Sequence, residues 1–254
     1  DALLTRAVLA SACELGAQGW CPAELLAAER VPQGYDLRIL RDASEVALRC
    51  RFLINAAGPW SAVVRERVQP ALPLQAVDCV LGSHLVIEPR LSERAFYLES
   101  PSDGRAVFAL PWKGRTLLGT TEHVYRGDPD RVAPPLSDTD YLLGVLAHYF
   151  PTFEAQVIDR FAGLRVLPAG DGSAFRRPRE CVLQRDPQHP RLLNLSGGKL
   201  TGYRAIAERV AATLRVPLGA RKAIADTAEL RLPRLDASLQ SSPSASSSTD
   251  VQRA

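Results

Sequence analysis

The chain has 254 residues, of which 46% are hydrophobic and 23% are charged, and its formal net charge is +3. This length is enough for one large domain or two modest ones with an apolar core, and the small net charge argues against a dedicated nucleic-acid-binding protein. The five scattered cysteines form no CxxC pair, so the sequence predicts no metal site. No apolar run approaches the roughly 18 residues that span a bilayer, so it predicts no transmembrane helix.

The first third of the chain predicts one helix and then a small antiparallel unit. Apolar residues at helical spacing predict a helix over 3–15. Two alternating stretches, 34–40 and 45–50, lie on either side of the sequence RDAS and predict a hairpin or a meander. The segment RFLINAAGPW, 51–60, predicts a buried strand that ends in a Gly-Pro turn, and the SAVVRERV that follows it predicts a helix.

The rest of the chain predicts a larger antiparallel sheet and two more helices. β-rich segments separated by glycine, proline and aspartate predict antiparallel sheet over 74–120. Helical periodicity predicts a helix over 137–150 with Ser137 as its N-cap, and another from about 201 to 214. Further strands are predicted at 159–168, 180–186 and 191–196. From about 235 the chain is serine-rich and of low complexity, which predicts a disordered tail.

The stretch SGGKLTGYR joins the last predicted strand to the last predicted helix. Gly197 and Gly198 allow the backbone to approach a ligand closely. The first amides of the helix are unpaired donors at the positive end of its dipole, which suits an anion or an electron-rich carbonyl, and Lys199 adds a full positive charge. The stretch is neither a Walker A loop nor GxGxxG. A plain strand-to-helix turn with a solvated lysine is therefore the alternative.

An arginine lies among apolar residues in the strand FAGLRVLP. Alternation places Phe161, Gly163, Arg165 and Leu167 on one face. Because an unpaired buried charge is very costly, Arg165 needs a partner, and its forked guanidinium suits a phosphate or a carboxylate. The alternatives are an internal salt bridge and an edge arginine that reaches solvent.

Two further stretches carry candidate functional residues. In GSHLVIEP, His84 shares one strand face with Gly82 and Val86 and is a candidate general base, with a purely structural histidine as the alternative. In INAAGPWS, 54–61, small residues end a strand, which suits the crevice where a cofactor lies and equally suits tight packing of a helix on a sheet.

The order of these motifs resembles the FAD-dependent glycerol-3-phosphate dehydrogenase family, which belongs to the D-amino-acid-oxidase-like group of flavoproteins. The resemblance runs from residue 1 to about 229, and its most specific parts are FALPWKGRTLLGTTEHVYRGDP and GGKLTGYR. It implies an α/β fold with α+β character: the distal part of an FAD/NAD(P)-binding Rossmann-like domain plus an antiparallel-sheet substrate domain. The FAD-binding domain would comprise 1–73 and 191–233, the substrate domain 74–190, and the tail 234–254.

The resemblance also implies FAD as the cofactor and a role for each motif. The strand end beside the FAD pyrophosphate and adenosine would comprise Asn55, Ala56, Ala57, Gly58 and Trp60. The second contact, with a helix N-terminus under the N1–C2 edge of the flavin, would comprise Ser196, Gly197, Gly198, Lys199, Leu200 and Thr201. That positive helix end would stabilise charge on the reduced flavin. The implied catalytic residues are His84 for substrate contact or proton abstraction, Arg165 for the substrate phosphate and Lys199 at the flavin–substrate boundary.

The implied reaction is hydride transfer from C2 of sn-glycerol 3-phosphate to flavin N5. A base removes the proton of the C2 hydroxyl, the product is dihydroxyacetone phosphate, and the electrons pass to a membrane quinone. Such a protein would be cytoplasmic, with reduced thiols and with peripheral attachment to the inner face of the membrane as an option. The resemblance leaves homo-oligomer formation open and implies no nucleic-acid partner.

Three departures from the family pattern qualify this expectation. Glu122 stands where the family usually has aspartate after GTT, no glycine-rich dinucleotide fingerprint occurs, and a serine-rich tail stands where the family usually has a C-terminal helical domain. The absence of methionine also indicates that Asp1 is not a translation start. We therefore expect an incomplete FAD-binding domain that lacks the first βαβ unit and binds FAD poorly or not at all. The alternatives are a related FAD-dependent oxidase of amino or hydroxy acids, with Arg165 on a carboxylate, and a truncated non-catalytic chain.

Overall fold

The computed structural model of the protein describes residues 1–72, 77–168 and 180–234, so the predicted disordered tail from 235 lies outside the described residues. The helices are α1 Ala2–Glu14, α2 Ser61–Glu66, α3 Leu136–Tyr149 and α4 Tyr203–Leu218. The strands are β1 Ala23–Val31, β2 Gly34–Arg41, β3 Ser44–Cys50, β4 Leu53–Asn55, β5 Val68–Gln69, β6 Val77–Glu88, β7 Phe96–Glu99, β8 Ala106–Trp112, β9 Arg115–Gly119, β10 His123–Tyr125, β11 Gln156–Pro168, β12 Val182–Asp186 and β13 His189–Ser196. Among the described residues, no helix has both the length and the apolar character needed to cross a membrane.

The first sheet has the strand order β3-β2-β1-β5. Its first three strands are antiparallel neighbours, which confirms the meander, and β5 joins β1 in parallel. Asp42 and Ala43 connect β2 to β3 with φ values of 49° and 60°, and a two-residue type I′ hairpin turn requires such a pair of positive values. The buried side chains of this sheet form one cluster with Leu192 of β13: Ala28, Tyr35, Leu37 and Val68.

The second sheet carries the candidate site residues of β6 and β11. Its strand order is β10-β6-β9-β8-β7, and β11 pairs with β6 along the whole of that strand. Lys113 and Gly114 turn β8 into β9 with φ values of 48° and 78°, again the signature of a type I′ turn. The antiparallel sheet predicted over 74–120 is therefore confirmed where the structure describes it. Helix α3 covers one face through a shared apolar cluster: Leu85, Ile87, Leu98, Val107, Ala109, Leu118, Leu142, Val145 and Leu146.

The prediction of Ser137 as the N-cap of α3 is wrong. The helix begins at Leu136, and Pro135 occupies the N-cap position with an extended ψ of 153° and no side-chain cap. The polar side chain that organises this end is Asp138, which is only 6% exposed. It points into the protein and accepts hydrogen bonds from the hydroxyls of Ser83 and Thr121. Its charge is also favourable in the first turn of a helix.

The third sheet brings together β12, β13 and β4 in that order, with β13 parallel to β4 and antiparallel to β12. The predicted strand over 51–60 is correct only for Leu53–Asn55, and Ile54 is 38% exposed, so it is neither as long nor as buried as expected. Pro59 lies within the part that does not pair, and proline has no amide for a sheet ladder. Strand β12, which the predicted division at residue 190 assigns to the substrate domain, pairs with β13.

The predicted helices over 3–15 and after residue 60 are confirmed as α1 and α2, and the last predicted helix is confirmed as α4 but is longer. Helix α4 continues to Leu218 although Pro217 lies in its last turn. Proline cannot donate to the carbonyl four residues earlier, which here belongs to Thr213. Arg185 Nη2 donates to that oxygen at 2.8 Å. A side chain of β12 thus replaces the hydrogen bond that the helix loses.

Candidate active site

A cavity of about 740 Å³ lies where the carboxyl-terminal parts of β11 and β13 meet the start of α4 and the turn after β4. It is lined by Ala56, Gly58, Pro59, Leu164, Arg165, Val166, Leu167, Cys181, Leu195, Ser196, Gly197, Gly198, Lys199, Leu200, Tyr203, Ile206, Ala207 and Val210. Its volume falls within the range of ligand-binding clefts, about 300–1,000 Å³. Most of the lining is apolar, and two cationic side chains, Arg165 and Lys199, belong to it.

The glycine pair after β13 is required by the local backbone. Gly197 and Gly198 have φ values of +73° and +92°, which side chains with a Cβ rarely adopt. A Cβ on Gly197 would lie 2.6 Å from the carbonyl oxygen of Glu180, and one on Gly198 would lie 3.0 Å from Ile206 Cδ1. The glycines therefore let the loop turn tightly between the start of β12 and α4, which brings Lys199 to the cavity wall.

The positive end of α4 lies at the same wall. A 3₁₀ turn, Leu200–Gly202, leads into the helix, whose N-cap Gly202 offers no side-chain acceptor. The first turn of α4 contains no acidic residue either. The amide of Tyr203, the first residue of α4, donates to the carbonyl oxygen of Leu200 in this turn. The dipole of the helix still attracts negative charge, so an anion or a carbonyl oxygen suits this end of the cavity electrostatically.

The opposite wall is the turn after β4, built from small residues. Gly58 has a φ of +55°, and a Cβ on it would meet nothing within 4 Å, so the cavity is open at that point. Asn55 is 2% exposed and holds the turn from behind. Its Nδ2 donates to Ser61 O and Asn194 Oδ1, each at 3.0 Å, and its Oδ1 accepts from the amide of Ala57 at 3.2 Å.

Arg165 has an ion-pair partner within the protein. Its Nη2 lies 3.7 Å from Oε1 of Glu122, whose side chain is 4% exposed, while Arg165 itself is 34% exposed and also lines the cavity. Arg105 Nη2 donates to the other carboxylate oxygen of Glu122 at 3.0 Å, and Arg105 Nη1 donates to the Glu122 carbonyl at 2.7 Å. The internal salt bridge, one of the alternatives that the sequence left open, is therefore present.

His84 lies on β6 directly opposite Phe161 of β11, and the two rings stack with centroids 5.2 Å apart and planes 8° apart. Burial lowers the pKa of His84 below its ordinary value, and the positive charge of Arg165 lowers the pKa further. The imidazole is thus kept neutral and able to accept a proton at neutral pH. Its other neighbour is Gly119 of β9, which has no side chain to occupy the space of the ring.

The structure brings together most of the residues singled out from the sequence. The predicted residues that line the cavity are Ala56, Gly58, Arg165, Ser196, Gly197, Gly198, Lys199 and Leu200. Those that do not line it are Asn55, Ala57, Trp60, His84 and Thr201. His84 is nevertheless coupled to the cavity through Arg165, and Trp60 Nε1 donates to Asp130 Oδ1 at 3.2 Å.

Sequence reasoning missed Arg105 and the pairing of Glu122. Arg105 follows an Asp-Gly turn and carries no periodic signal. Glu122 stood out only because aspartate is usual at its position in the resembling family. Their association depends on β8 and β9 being neighbours, which the sequence could not specify residue by residue.

Comparison with known proteins identifies a family and several similar dehydrogenases. The profile of the DAO family, described as FAD dependent oxidoreductase, matches residues 1–213. A glycerol-3-phosphate dehydrogenase of Pseudomonas aeruginosa is 35% identical over 243 residues, covering 92% of this chain and 47% of the relative. A D-erythritol 1-phosphate dehydrogenase of Brucella abortus is 32% identical over 216 residues, covering 82% of this chain and 43% of the relative. The chain spans about half the length of the curated relatives it matches.

A solved structure supports the same grouping. The glycerol-3-phosphate dehydrogenase of Bacillus halodurans, complexed with FAD, superposes with a TM-score of 0.75 and 26% sequence identity. The match covers 87% of this chain and 44% of that one. The resemblance stated from the motifs, and the implied α/β class of FAD-binding flavoproteins, are thereby confirmed. The chain belongs to the DAO family of FAD-dependent oxidoreductases.

Proposed function

We propose that the protein oxidises sn-glycerol 3-phosphate at C2 to dihydroxyacetone phosphate with FAD as its cofactor. The observation that carries this proposal is Arg165 on the wall of a cavity whose other charged elements, Lys199 and the N-terminal end of the α4 dipole, are also positive. A dianionic phosphate ester suits such a wall. Two relatives, the glycerol-3-phosphate dehydrogenase and the D-erythritol 1-phosphate dehydrogenase, are both named for phosphorylated polyols.

The residues around the cavity fit FAD chemically. Gly58 leaves open space where any other residue would place a side chain, so a flat ring or a diphosphate can approach the turn after β4. The side chains of Ser196 and Lys199, which line the opposite side, can donate hydrogen bonds there. When bound, FAD supplies the acceptor for the hydride. We assign a supporting role to Asn55. The residues that would hold FAD are those implied by the resemblance that also line the cavity: Ala56, Gly58, Ser196, Gly197, Gly198, Lys199 and Leu200.

The residues of this chain then have distinct roles in the proposed reaction. Arg165 binds the phosphate and so places C2 of the substrate. His84 accepts the proton of the C2 hydroxyl, since its lowered pKa keeps the imidazole neutral and since its strand, β6, pairs with β11, which carries Arg165. Lys199 and the positive end of α4 would stabilise the negative charge that FAD, when bound, gains with the hydride. Quinone as the final acceptor, peripheral membrane attachment and the division into two domains remain predictions from the resemblance.

The proposal is tested with the purified protein and FAD in excess, because no glycine-rich fingerprint occurs in these 254 residues and we expect weak FAD binding. Reduction of an artificial dye acceptor is followed with sn-glycerol 3-phosphate, glycine or lactate as the substrate. We expect turnover with the phosphate ester alone. Arg165→Lys should raise KM for it, whereas Arg160→Lys, an exposed arginine of the same strand, should not.

Two results would count against the proposal. Turnover with glycine or lactate but not with the phosphate ester would favour an oxidase of amino or hydroxy acids, with Arg165 on a carboxylate. No turnover with any of them at saturating FAD would favour a non-catalytic chain.

A further inference from the structure

Three charged side chains form a connected group beside His84. The carboxylate of Glu122 receives Arg105 on one oxygen, at 3.0 Å, and lies 3.7 Å from Arg165 through the other. Its side chain is 4% exposed, against 22% for Arg105 and 34% for Arg165. The most deeply buried member of the group is therefore the anion, and the member that also reaches the cavity is Arg165.

Glu122 is the residue of this group that both arginines contact. Arg105 contacts both its carboxylate and its backbone carbonyl, so the main chain and the side chain are held together. A buried carboxylate strongly requires cationic partners, because removal from water is costly. Arg165 reaches it by passing over Gly82, where a Cβ would come within 3.4 Å of Nη2. This is an ordinary contact distance, and the tighter limit on a side chain at Gly82 is Thr120 Oγ1, 2.6 Å from the same Cβ position.

Buried hydrogen bonds hold the loop that carries Glu122. Thr121, the preceding residue, donates from its hydroxyl to Asp138 Oδ2 at 2.6 Å and accepts from the amide of Ser83 at 2.9 Å. Ser83 also donates to the same carboxylate oxygen at 2.5 Å. Since Ser83 precedes His84 in β6, one buried network holds both the strand of the proposed base and the loop of Glu122.

We propose that Glu122, held by Arg105, is a positioning residue that aims Arg165 at the phosphate group of the substrate; this inference rests on the proposed function. Two guanidinium groups and one carboxylate leave the group with a net positive charge for a phosphate. Fixing one side of Arg165 reduces the side-chain freedom that is lost when the phosphate binds. This arrangement should strengthen the binding of a phosphate monoester, whereas the binding of an unphosphorylated polyol should not change.

The test compares Glu122→Gln, Glu122→Asp and a matched control in the protein saturated with FAD. The control is Glu88→Gln, which removes a carboxylate that pairs with Arg115 at the far end of the same β6. We expect Glu122→Gln to raise KM for sn-glycerol 3-phosphate about tenfold, as the loss of a charge-assisted contact implies, with a much smaller change in kcat. Glu122→Asp should recover part of this loss, and Glu88→Gln should match the wild type.

Glycerol, supplied at high concentration, separates positioning of Arg165 from general damage. Glu122→Gln should leave kcat/KM for glycerol unchanged. If the variant does not fold, Arg105→Gln, which releases Glu122 while leaving its charge, should raise KM for the phosphate ester in the same direction. A wild type that does not oxidise the phosphate ester would overturn the proposed function. An active wild type whose Glu122→Gln variant shows no rise in KM, or an equal loss with both substrates, would overturn the positioning role alone.

Discussion

Gly119 determines where the ring of His84 can lie, because the two residues face each other across β9 and β6. A Cβ at position 119 would lie 2.3 Å from His84 Cδ2 and 2.8 Å from Cγ. Non-bonded carbon atoms normally stay about 3.5–4.0 Å apart. Because Cγ lies next to the backbone, the ring cannot escape by moving its far end alone. Gly119→Ala therefore forces His84 off its stack on Phe161 or separates the two strands.

The expected cost has two parts. Overpacking of a well-packed site costs about 1–3 kcal/mol. Loss of the ring contact between His84 and Phe161, with centroids 5.2 Å apart, removes a further contribution of about 0.5–1.5 kcal/mol. The free energy of unfolding should thus fall by about 1.5–4.5 kcal/mol. Since His84 is the proposed base, kcat should fall by a factor on the order of 100 or more.

Urea unfolding and dye-linked turnover measure the two effects separately. The matched control is Gly144→Ala on the exposed face of α3, where a Cβ meets nothing within 4 Å. Alanine in a helix should raise the free energy of unfolding by about 0.5–1 kcal/mol, with kcat unchanged. A Gly119→Ala protein with the unfolding free energy and kcat of the wild type would refute the reasoning, since His84 would then not need the space.

Three further outcomes are expected from the buried polar groups. Asp138→Ala leaves the hydroxyls of Ser83 and Thr121 without their acceptor, so the free energy of unfolding measured in urea should fall by about 2–4 kcal/mol. Replacing the exposed Asp140 of the same helix with alanine should change this free energy little. Tyr35→Phe removes the buried 2.8 Å hydrogen bond to His189 Nδ1 and should cost about 1–3 kcal/mol by the same measurement. Burial lowers the pKa of both His84 and His189 in the folded state below the ordinary 6.5. As the pH drops below 6.5, the unfolded chain therefore binds more protons than the folded one, and the free energy of unfolding should fall. Replacing both histidines with glutamine should flatten this pH dependence, and an unchanged slope would contradict it.

Local chemistry made parts of the first and second sheets predictable. The turns at Asp42–Ala43 and Lys113–Gly114 follow alternating strands, and the structure gives both the positive φ values of hairpin turns. The helical periodicity predicted over 137–150 is found in α3, and its apolar face packs on the sheet. In these segments, propensity, pattern and tertiary packing agree.

Strand β1 was not predicted, because its sequence AELLAAERV consists largely of residues that favour helices. Pairing with β2 on one side and with β5 on the other overrides that preference. Ser137 was misassigned for a related reason. A capping pattern describes one segment, whereas the start of α3 is set by Pro135 and by the long-range bonds of Asp138.

The candidate site was predictable as a set of motifs and less so as a geometry. The glycine pair and Arg165 drew attention by their residue types, and both line the cavity. The pairing of Arg165 with Glu122, and of Glu122 with Arg105, joins residues from three separate segments. Single-sequence reasoning has no signal for such contacts, since each residue is ordinary in its own segment.

Oxidation of a phosphorylated polyol held by Arg165, with FAD as the cofactor, is the function that we propose for this chain. Its most direct test is anaerobic titration of the protein with FAD in excess, followed by addition of sn-glycerol 3-phosphate while the flavin absorbance near 450 nm (an approximate flavin maximum) is recorded. The account predicts that the phosphate ester bleaches the flavin in the wild type and does so far less well in Arg165→Lys at the same substrate concentration. Bleaching by glycine or lactate in place of the phosphate ester, or equal bleaching in the two proteins, would contradict it.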